Sequence, residues 1–338
     1  MRVFQIEGEW GTQNLRLSER PEPEVGPGQV IVQMRMASLN ARDLIVPERG
    51  YGRATGELPL IPVSDGVGEV VATGDGVSRV TVGDRVCPTY FQNWTGGEPT
   101  PERFASALGG PLDGVMAERM CLPESGVVRV PDYLTDAEAA TLPCAALTAW
   151  SAVATHGGTR PGDRLLIQGT GGVALFALAF AKLHGAHVTV ISSSDAKLAR
   201  VRELGADETI NYKAVEDWAR ASRAITADRG GYDAIIELGG AKTLPLSLRA
   251  IRPGGTLLMI GVLSGLTVEA SLGLIVARQV RLQGVTVGHR DGFEAMLAAM
   301  AQHRVRPVIG EAFAFDDLRA ALEHLRAGGH FGKTVIWF

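Results

Sequence analysis

Short runs in which apolar residues alternate or cluster between glycine and proline signals fill the first 125 residues. Positions 29–36 (Gln-Val-Ile-Val-Gln-Met-Arg-Met) and 68–73 are of this kind, and such runs predict short strands. A β-rich domain is therefore expected over residues 1–125. From about Gly126 the pattern changes. Strand-like runs at 164–168, 188–191, 234–237 and 256–261 alternate with amphipathic stretches of helical length at 196–204 and 241–251. Alternation of that kind over 126–287 predicts a doubly wound parallel sheet, so the expected fold class is α/β. Helical runs at 292–302 and 315–327 and a closing strand at 333–338 follow. Pattern alone lets this tail complete either domain.

Composition narrows the classes of function. Hydrophobic residues make up 46% of the 338 and charged residues 21%, a balance that excludes a disordered chain. With 33 basic and 37 acidic residues the formal net charge is −4. That leaves no electrostatic footprint for nucleic acid or an anionic membrane, and a small molecule is the expected partner. The three cysteines, Cys87, Cys121 and Cys144, are dispersed and odd in number, which excludes a disulfide framework and points to a reducing compartment. No apolar segment follows a basic start, and no apolar run reaches the length of a membrane span. A cytoplasmic protein is expected.

The most informative segment reads strand, glycine turn, helix: Asp163-Arg-Leu-Leu-Ile-Gln-Gly169-Thr-Gly171-Gly172-Val173-Ala174, then an apolar stretch to His184 and a helix-stopping Gly185. Gly169 and Gly171 permit a tight turn and let backbone approach a pyrophosphate, and the new helix offers free N–H groups to the anion. Gly172 and Val173 open that helix, and Ala174 takes the small position where helix meets strand. A purely structural turn, or a site for another nucleotide-like ligand, is the alternative. About twenty residues beyond Gly171, where an NAD site carries an acid for the ribose 2′-hydroxyl, the chain reads Ser192-Ser193-Ser194-Asp195-Ala-Lys197. Hydroxyls at Ser192 and Ser193 with the Lys197 cation suit a 2′-phosphate, so NADP(H) is the expected cofactor. Asp195 is expected to cap the next helix.

At this point the chain resembles the medium-chain dehydrogenase/reductase superfamily, and within it the zinc-independent quinone oxidoreductase-like group. The resemblance rests on Ser38-Leu-Asn-Ala-Arg-Asp43, on the stretch 62–77 (beginning Pro-Val-Ser-Asp-Gly-Val-Gly), on Val82-Gly-Asp-Arg-Val86, on Leu142-Pro-Cys-Ala-Ala-Leu-Thr-Ala-Trp150, on the glycine turn, and on Gly332-Lys-Thr-Val335. It implies a GroES-like β-rich catalytic domain over 1–125, completed by 288–338, a Rossmann domain over 126–287, and a homodimer paired through the Rossmann sheets. It also implies that Lys197 and Tyr212 meet the 2′-phosphate, and that Gly239 and Gly261 let backbone approach the cofactor. In the zinc enzymes of the superfamily a catalytic zinc is held at the positions occupied here by Asn40, Ser64, Asp65 and Cys144. One thiol beside an amide and a hydroxyl is a poor soft-metal set. Residues 88–120, where a structural zinc lobe would lie, contain no cysteine. No metal site is therefore expected, and Cys144 reads as a buried structural thiol.

Without a metal, hydrogen-bond donors must stabilise charge on the substrate oxygen. Tyr51 and Asn40 match positions that line the active site of zinc-independent quinone reductases, and Asp43 matches a residue of the same segment. Tyr51 is the expected donor or proton relay, Asn40 an orienting donor, and Asp43 a residue that fixes the loop. Thr89-Tyr-Phe-Gln-Asn-Trp94 offers either an aromatic substrate wall or a satellite apolar cluster, and His289 offers either a proton shuttle or a structural histidine. The expected activity is zinc-independent, NADPH-linked hydride transfer to or from a small carbonyl, alcohol, quinone or enone. A non-catalytic, crystallin-like or regulatory NADPH-binding protein and a zinc-dependent alcohol dehydrogenase are the alternatives.

Overall fold

The structure is a computed structural model that describes residues 1–338. The chain divides into two units, Met1–Leu147 with Val287–Phe338, and Thr148–Thr286. No helix is long and apolar enough to cross a membrane.

The first unit is built on a seven-stranded sheet. Its path runs Ile309–Ala314, Lys333–Trp337, Gln29–Ser38, Asp65–Thr73, Arg85–Pro88 and Val127–Arg129, and Arg119–Pro123 pairs with Gln29–Ser38 off this path. Alternation decides which face is buried: Val30, Val32 and Met34 point into a core shared with Val70, Val86, Val115 and Met120. The tail belongs to this unit. Lys333–Trp337 pairs antiparallel with Gln29–Ser38, setting Val335 opposite Ser38, and helix Leu318–Ala327 sends Leu318, Ala321 and Leu322 into the same core. Pairing across some three hundred residues leaves no trace in local pattern.

The boundary expected near residue 126 falls instead between Leu147 and Thr148. Val127–Arg129 is the reason, because it pairs antiparallel with Arg85–Pro88 and so extends the first unit's sheet. The chain crosses into the second unit within a helical run over 142–156, of which Leu142–Ala146 and Ser151–His156 are wound as π-helix.

In the second unit six parallel strands lie in the order Glu208–Asn211, His187–Ser192, Arg164–Gln168, Tyr232–Glu237, Ile251–Met259, Arg281–Gly284. The first strand in sequence is central, and the winding reverses between it and Tyr232–Glu237. Leu165, Leu166 and Ile167, with Ala234, Ile235 and Ile236, are buried on both faces, as a sheet covered by helices on each side requires. In such sheets ligands bind beyond the carboxyl ends of the strands, at the point of reversal. Strand Arg164–Gln168 ends there.

Candidate active site

The glycine turn lies at the point of reversal. Gly169 has φ +82°, a left-handed backbone that glycine adopts without strain, and its N–H donates to Ile191 O at 2.7 Å. Gly171 caps helix Gly172–Leu183, and its carbonyl accepts from Leu175 N. A Cβ built at Gly169 or Gly171 would meet no atom within 4 Å, so each position faces open space. The pyrophosphate of a dinucleotide fits such a cradle: bare backbone beneath it and the first turn of a twelve-residue helix beside it.

Strand His187–Ser192 carries the next group. Ser192 ends the strand, buried, and its carbonyl accepts from Tyr212 N, while Ser193, Lys197 and Tyr212 are part-exposed or exposed. Burial lowers the Lys197 pKa. The expected helix cap is corrected here: Ser194, not Asp195, is the N-cap, its hydroxyl accepting from Lys197 N, and the Asp195 carboxylate accepts from Asn211 Nδ2 at 2.9 Å. Ser194 has the extended backbone a cap needs, while Asp195 already has the helical one.

A buried network that sequence reasoning did not single out fixes the loop after strand Tyr232–Glu237. Glu237 is fully buried. Its Oε1 accepts from Gly239 N (3.1 Å), Gly240 N (3.0 Å) and the Thr243 hydroxyl, and its Oε2 from Gln168 Nε2 (2.7 Å) and the Ser247 hydroxyl. Gln168 Oε1 accepts from Leu238 N and Gly239 N. The residue just before the glycine turn thus holds the loop containing Gly239. Gly261 allows close approach to that loop, since a Cβ there would collide with Leu238 O. An acid ending the apolar run Ala234-Ile235-Ile236 was the available signal.

In the first unit three strand ends bring a polar cluster together. Ser38 ends one strand, Asp65 begins the next and pairs with Ser38 in register, and Lys333 begins the closing strand. Asn40 N donates to Asp43 Oδ2 at 2.7 Å, and Asp43 N donates back to Asn40 O at 2.9 Å, closing the short 3-10 helix Ala41–Leu44. Asp43 thus closes the turn that follows Asn40. Burial pushes the Asp43 carboxyl up to about 6 against the opposing pull of Arg42. Arg42, itself buried, donates to Leu108 O (2.7 Å) and Gly110 O (2.9 Å) and stands 4.9 Å over the Tyr90 ring.

Asp65 is fully buried and accepts from the Ser64 hydroxyl at 2.7 Å and from Cys144 N at 3.0 Å. Burial raises its pKa, while the nearby Lys333 cation and the Asn40 amide favour the charged form. Lys333 Nζ donates to Leu39 O and, at 2.6 Å, to Asn40 Oδ1. Tyr51 stands beside this cluster, 46% exposed; burial raises its phenol pKa, opposed by the pull of Arg42. The structure thus gathers Asn40 and Asp43 with Tyr51 and adds Arg42, Asp65 and Lys333. A lysine opening a strand whose next three residues are buried was the overlooked signal for Lys333.

Two other candidates take structural roles. Tyr90, Phe91 and Trp94 are buried against one another and Phe104, with Trp94 Nε1 donating to Gly97 O, so the segment is a satellite core and not an open wall. His289 caps helix Arg290–His303, its Nδ1 accepting from Gly292 N at 2.9 Å.

The residues at the superfamily's metal position do not fit zinc. The Ser64 hydroxyl is committed to Asp65 and the Asn40 oxygen to an ammonium, which leaves the Cys144 thiol as the one soft donor of the set. Cys144 is only part-buried, less enclosed than its apolar surroundings in sequence suggest.

Two family models match the chain: alcohol dehydrogenase GroES-like domain over residues 26–132 and zinc-binding dehydrogenase over 172–302. The chain is 40% identical over 334 residues to a zinc-type alcohol dehydrogenase-like protein of Schizosaccharomyces pombe, covering 96% of each chain. A solved structure from Sinorhizobium meliloti 1021, provisionally described as an alcohol dehydrogenase, is 43% identical with a TM-score of 0.91, covering 100% of this chain and 99% of that one. A thermostable alcohol dehydrogenase from Pyrobaculum aerophilum, solved with cobalt and zinc bound, is 28% identical with a TM-score of 0.86, at 100% and 99% coverage. The GroES-like sheet with its C-terminal strand, the parallel nucleotide-binding sheet and these relatives lead to one conclusion: the chain belongs to the medium-chain dehydrogenase/reductase superfamily, among its alcohol dehydrogenase-like NAD(P)-dependent oxidoreductases.

Proposed function

We propose that the protein is a zinc-independent, NADPH-linked oxidoreductase acting on a small carbonyl, alcohol, quinone or enone. The observation that carries this reading is the Lys333 ammonium hydrogen-bonded to Asn40, one of the positions that match the metal-holding residues of the superfamily's zinc enzymes. A fixed positive charge already occupies the neighbourhood, and the remaining donors suit hydrogen bonding better than soft-metal ligation. NADPH is favoured over NADH by Ser193, Lys197 and Tyr212 beside a strand end whose nearest acid, Asp195, is bound to Asn211. The setting we infer is the cytoplasm, with which three unpaired cysteines agree.

The bound dinucleotide supplies the hydride. The chain's own residues do the rest. Gly169, Gly171, Gly172 and Val173 would hold the pyrophosphate, and Gly239, fixed by Glu237 and Gln168, would border the cofactor from the next loop. In the GroES-like unit Asn40 offers its amide N–H to the substrate oxygen. Tyr51, a phenol that is protonated at neutral pH, donates to the same oxygen and can pass it a proton. Tyr51→Phe should lower kcat by about 100-fold while dinucleotide affinity stays within about twofold. Unchanged kinetics would remove Tyr51 from the mechanism.

The reading is tested by following oxidation of NADPH, with NADH as the control, against an ortho-quinone, a simple enone and an aryl aldehyde. Turnover with NADPH is expected, and the fastest acceptor assigns the substrate class. Binding of NADPH without turnover of any acceptor or of the matching alcohols would replace this reading with a non-catalytic role.

We further propose a homodimer paired through the parallel sheets. Strand Arg281–Gly284 is an exposed edge, and Leu263, Leu266, Leu272 and Val276 nearby in the sequence are 72–81% exposed. Light scattering should give twice the 35.8 kDa chain mass. A monomer at micromolar concentration would contradict the pairing.

A further inference from the structure

Lys333 is 4% exposed, and a buried ammonium persists only with partners. Two of its protons go to Leu39 O and Asn40 Oδ1. Burial lowers its pKa, while Asp65, Cys144 and Asp43 act on it in the opposite direction. The consequence lies in the amide that it holds. Asn40 Nδ2 is buried with no hydrogen-bond partner, although the amide lies close enough to Asp65 to favour that carboxylate's charged form. The side chain therefore stands between a cation that binds its oxygen and an anion that attracts its nitrogen. Both forces select the same one of the two amide orientations, in which one N–H is drawn toward Asp65 and the second is left without a partner.

We propose that Lys333 is a positioning residue for hydride transfer, which locks the Asn40 amide with its second N–H available to the substrate oxygen and polarises it as a donor. The inference rests on the reading of Asn40 as the donor. It deepens that reading by naming what sets the amide's direction. Hydrogen bonds in series strengthen one another, so a cation at Oδ1 makes Nδ2–H a better partner for negative charge developing on the substrate. Without the cation the amide can turn its oxygen toward the substrate, where it repels that charge.

The test compares Lys333→Met, Asn40→Ala and the double variant in the full-length protein. It measures kcat and acceptor KM at saturating NADPH, with NADPH affinity from cofactor fluorescence. Asn40→Ala should lower kcat by about 100-fold. Lys333→Met should lower it by about tenfold, with acceptor KM and NADPH affinity within about twofold. The double variant should be no slower than Asn40→Ala, because without the amide Lys333 has nothing to orient. If Lys333→Met does not fold, Lys333→Gln keeps a donor to Asn40 Oδ1 without the charge and should show a smaller loss of kcat in the same direction. Wild-type kcat in the lysine variants, multiplied losses in the double variant, or weakened NADPH binding with kcat preserved would each overturn the proposal. Loss of kcat in Asn40→Ala alone would overturn only the role of Lys333. Unchanged kcat in Asn40→Ala would overturn the donor reading itself.

Discussion

Gly171→Val should weaken dinucleotide binding by about 100-fold, close to 3 kcal/mol, while the protein remains folded. The choice of position matters. Gly169 has φ +82°, so any side chain there strains the turn and confounds binding with folding. Gly171 has φ −80° and ψ −177°, an extended conformation open to every residue, and a Cβ there meets nothing within 4 Å. A valine is therefore accommodated by the free protein and fills the space that the pyrophosphate needs. Replacing glycine at a helix cap with valine should cost about 1 kcal/mol of stability or less. Thermal melts with and without NADPH separate the two effects: the midpoint without cofactor should move little, and the rise on adding NADPH should vanish. Retained affinity would mean that the anion does not bind at this turn.

Arg42→Met should destabilise the GroES-like unit by about 3–5 kcal/mol, a buried-charge effect larger than that of most substitutions. The methionine fills the space of the stem, so the loss is electrostatic. Leu108 O and Gly110 O lose their donors and the Tyr90 ring its cation. Asp43 loses the opposing charge that holds its carboxyl to about 6. The pH dependence follows from that last loss. A carboxyl whose folded pKa lies above its unfolded value binds its proton more tightly when folded, so its stabilisation is present at low pH and lost as pH rises toward the folded pKa. In the native protein that loss is complete slightly above pH 6. In Arg42→Met the Asp43 pKa rises further, so the destabilisation should be greater at pH 8 than at pH 5.5. Urea midpoints at the two pH values measure it. An equal loss at both would show that Asp43 does not titrate against Arg42.

The parallel sheet was legible in sequence because each of its units is local: strand Arg164–Gln168, the glycine turn and helix Gly172–Leu183 follow one another without interruption. The GroES-like unit was legible only in part. Its sheet joins Lys333–Trp337 to Gln29–Ser38 and Val127–Arg129 to Arg85–Pro88, and only tertiary pairing assigns such segments to one domain. The same contrast holds at the site. Glycines 169 and 171 announce an anion cradle by spacing alone, and Asn40, Asp43 and Tyr51 lie close together in the chain. Lys333 and Asp65 reach that cluster from distant strands, and Glu237 and Gln168 meet across neighbouring strands. A charged residue at the first or last position of a strand marks each of the three charged positions. The aromatic run at 89–94 shows the converse, since composition suggested a binding wall and packing made it a core.

Zinc stoichiometry measured alongside turnover bears most directly on the central claim. The protein should be purified without added metal, treated with a chelator and divided between elemental analysis and the NADPH assay. The account predicts well under one zinc per chain and full kcat after chelation, with no gain when zinc is restored. About one tightly held zinc per chain, with activity lost on its removal and recovered on its return, would contradict it.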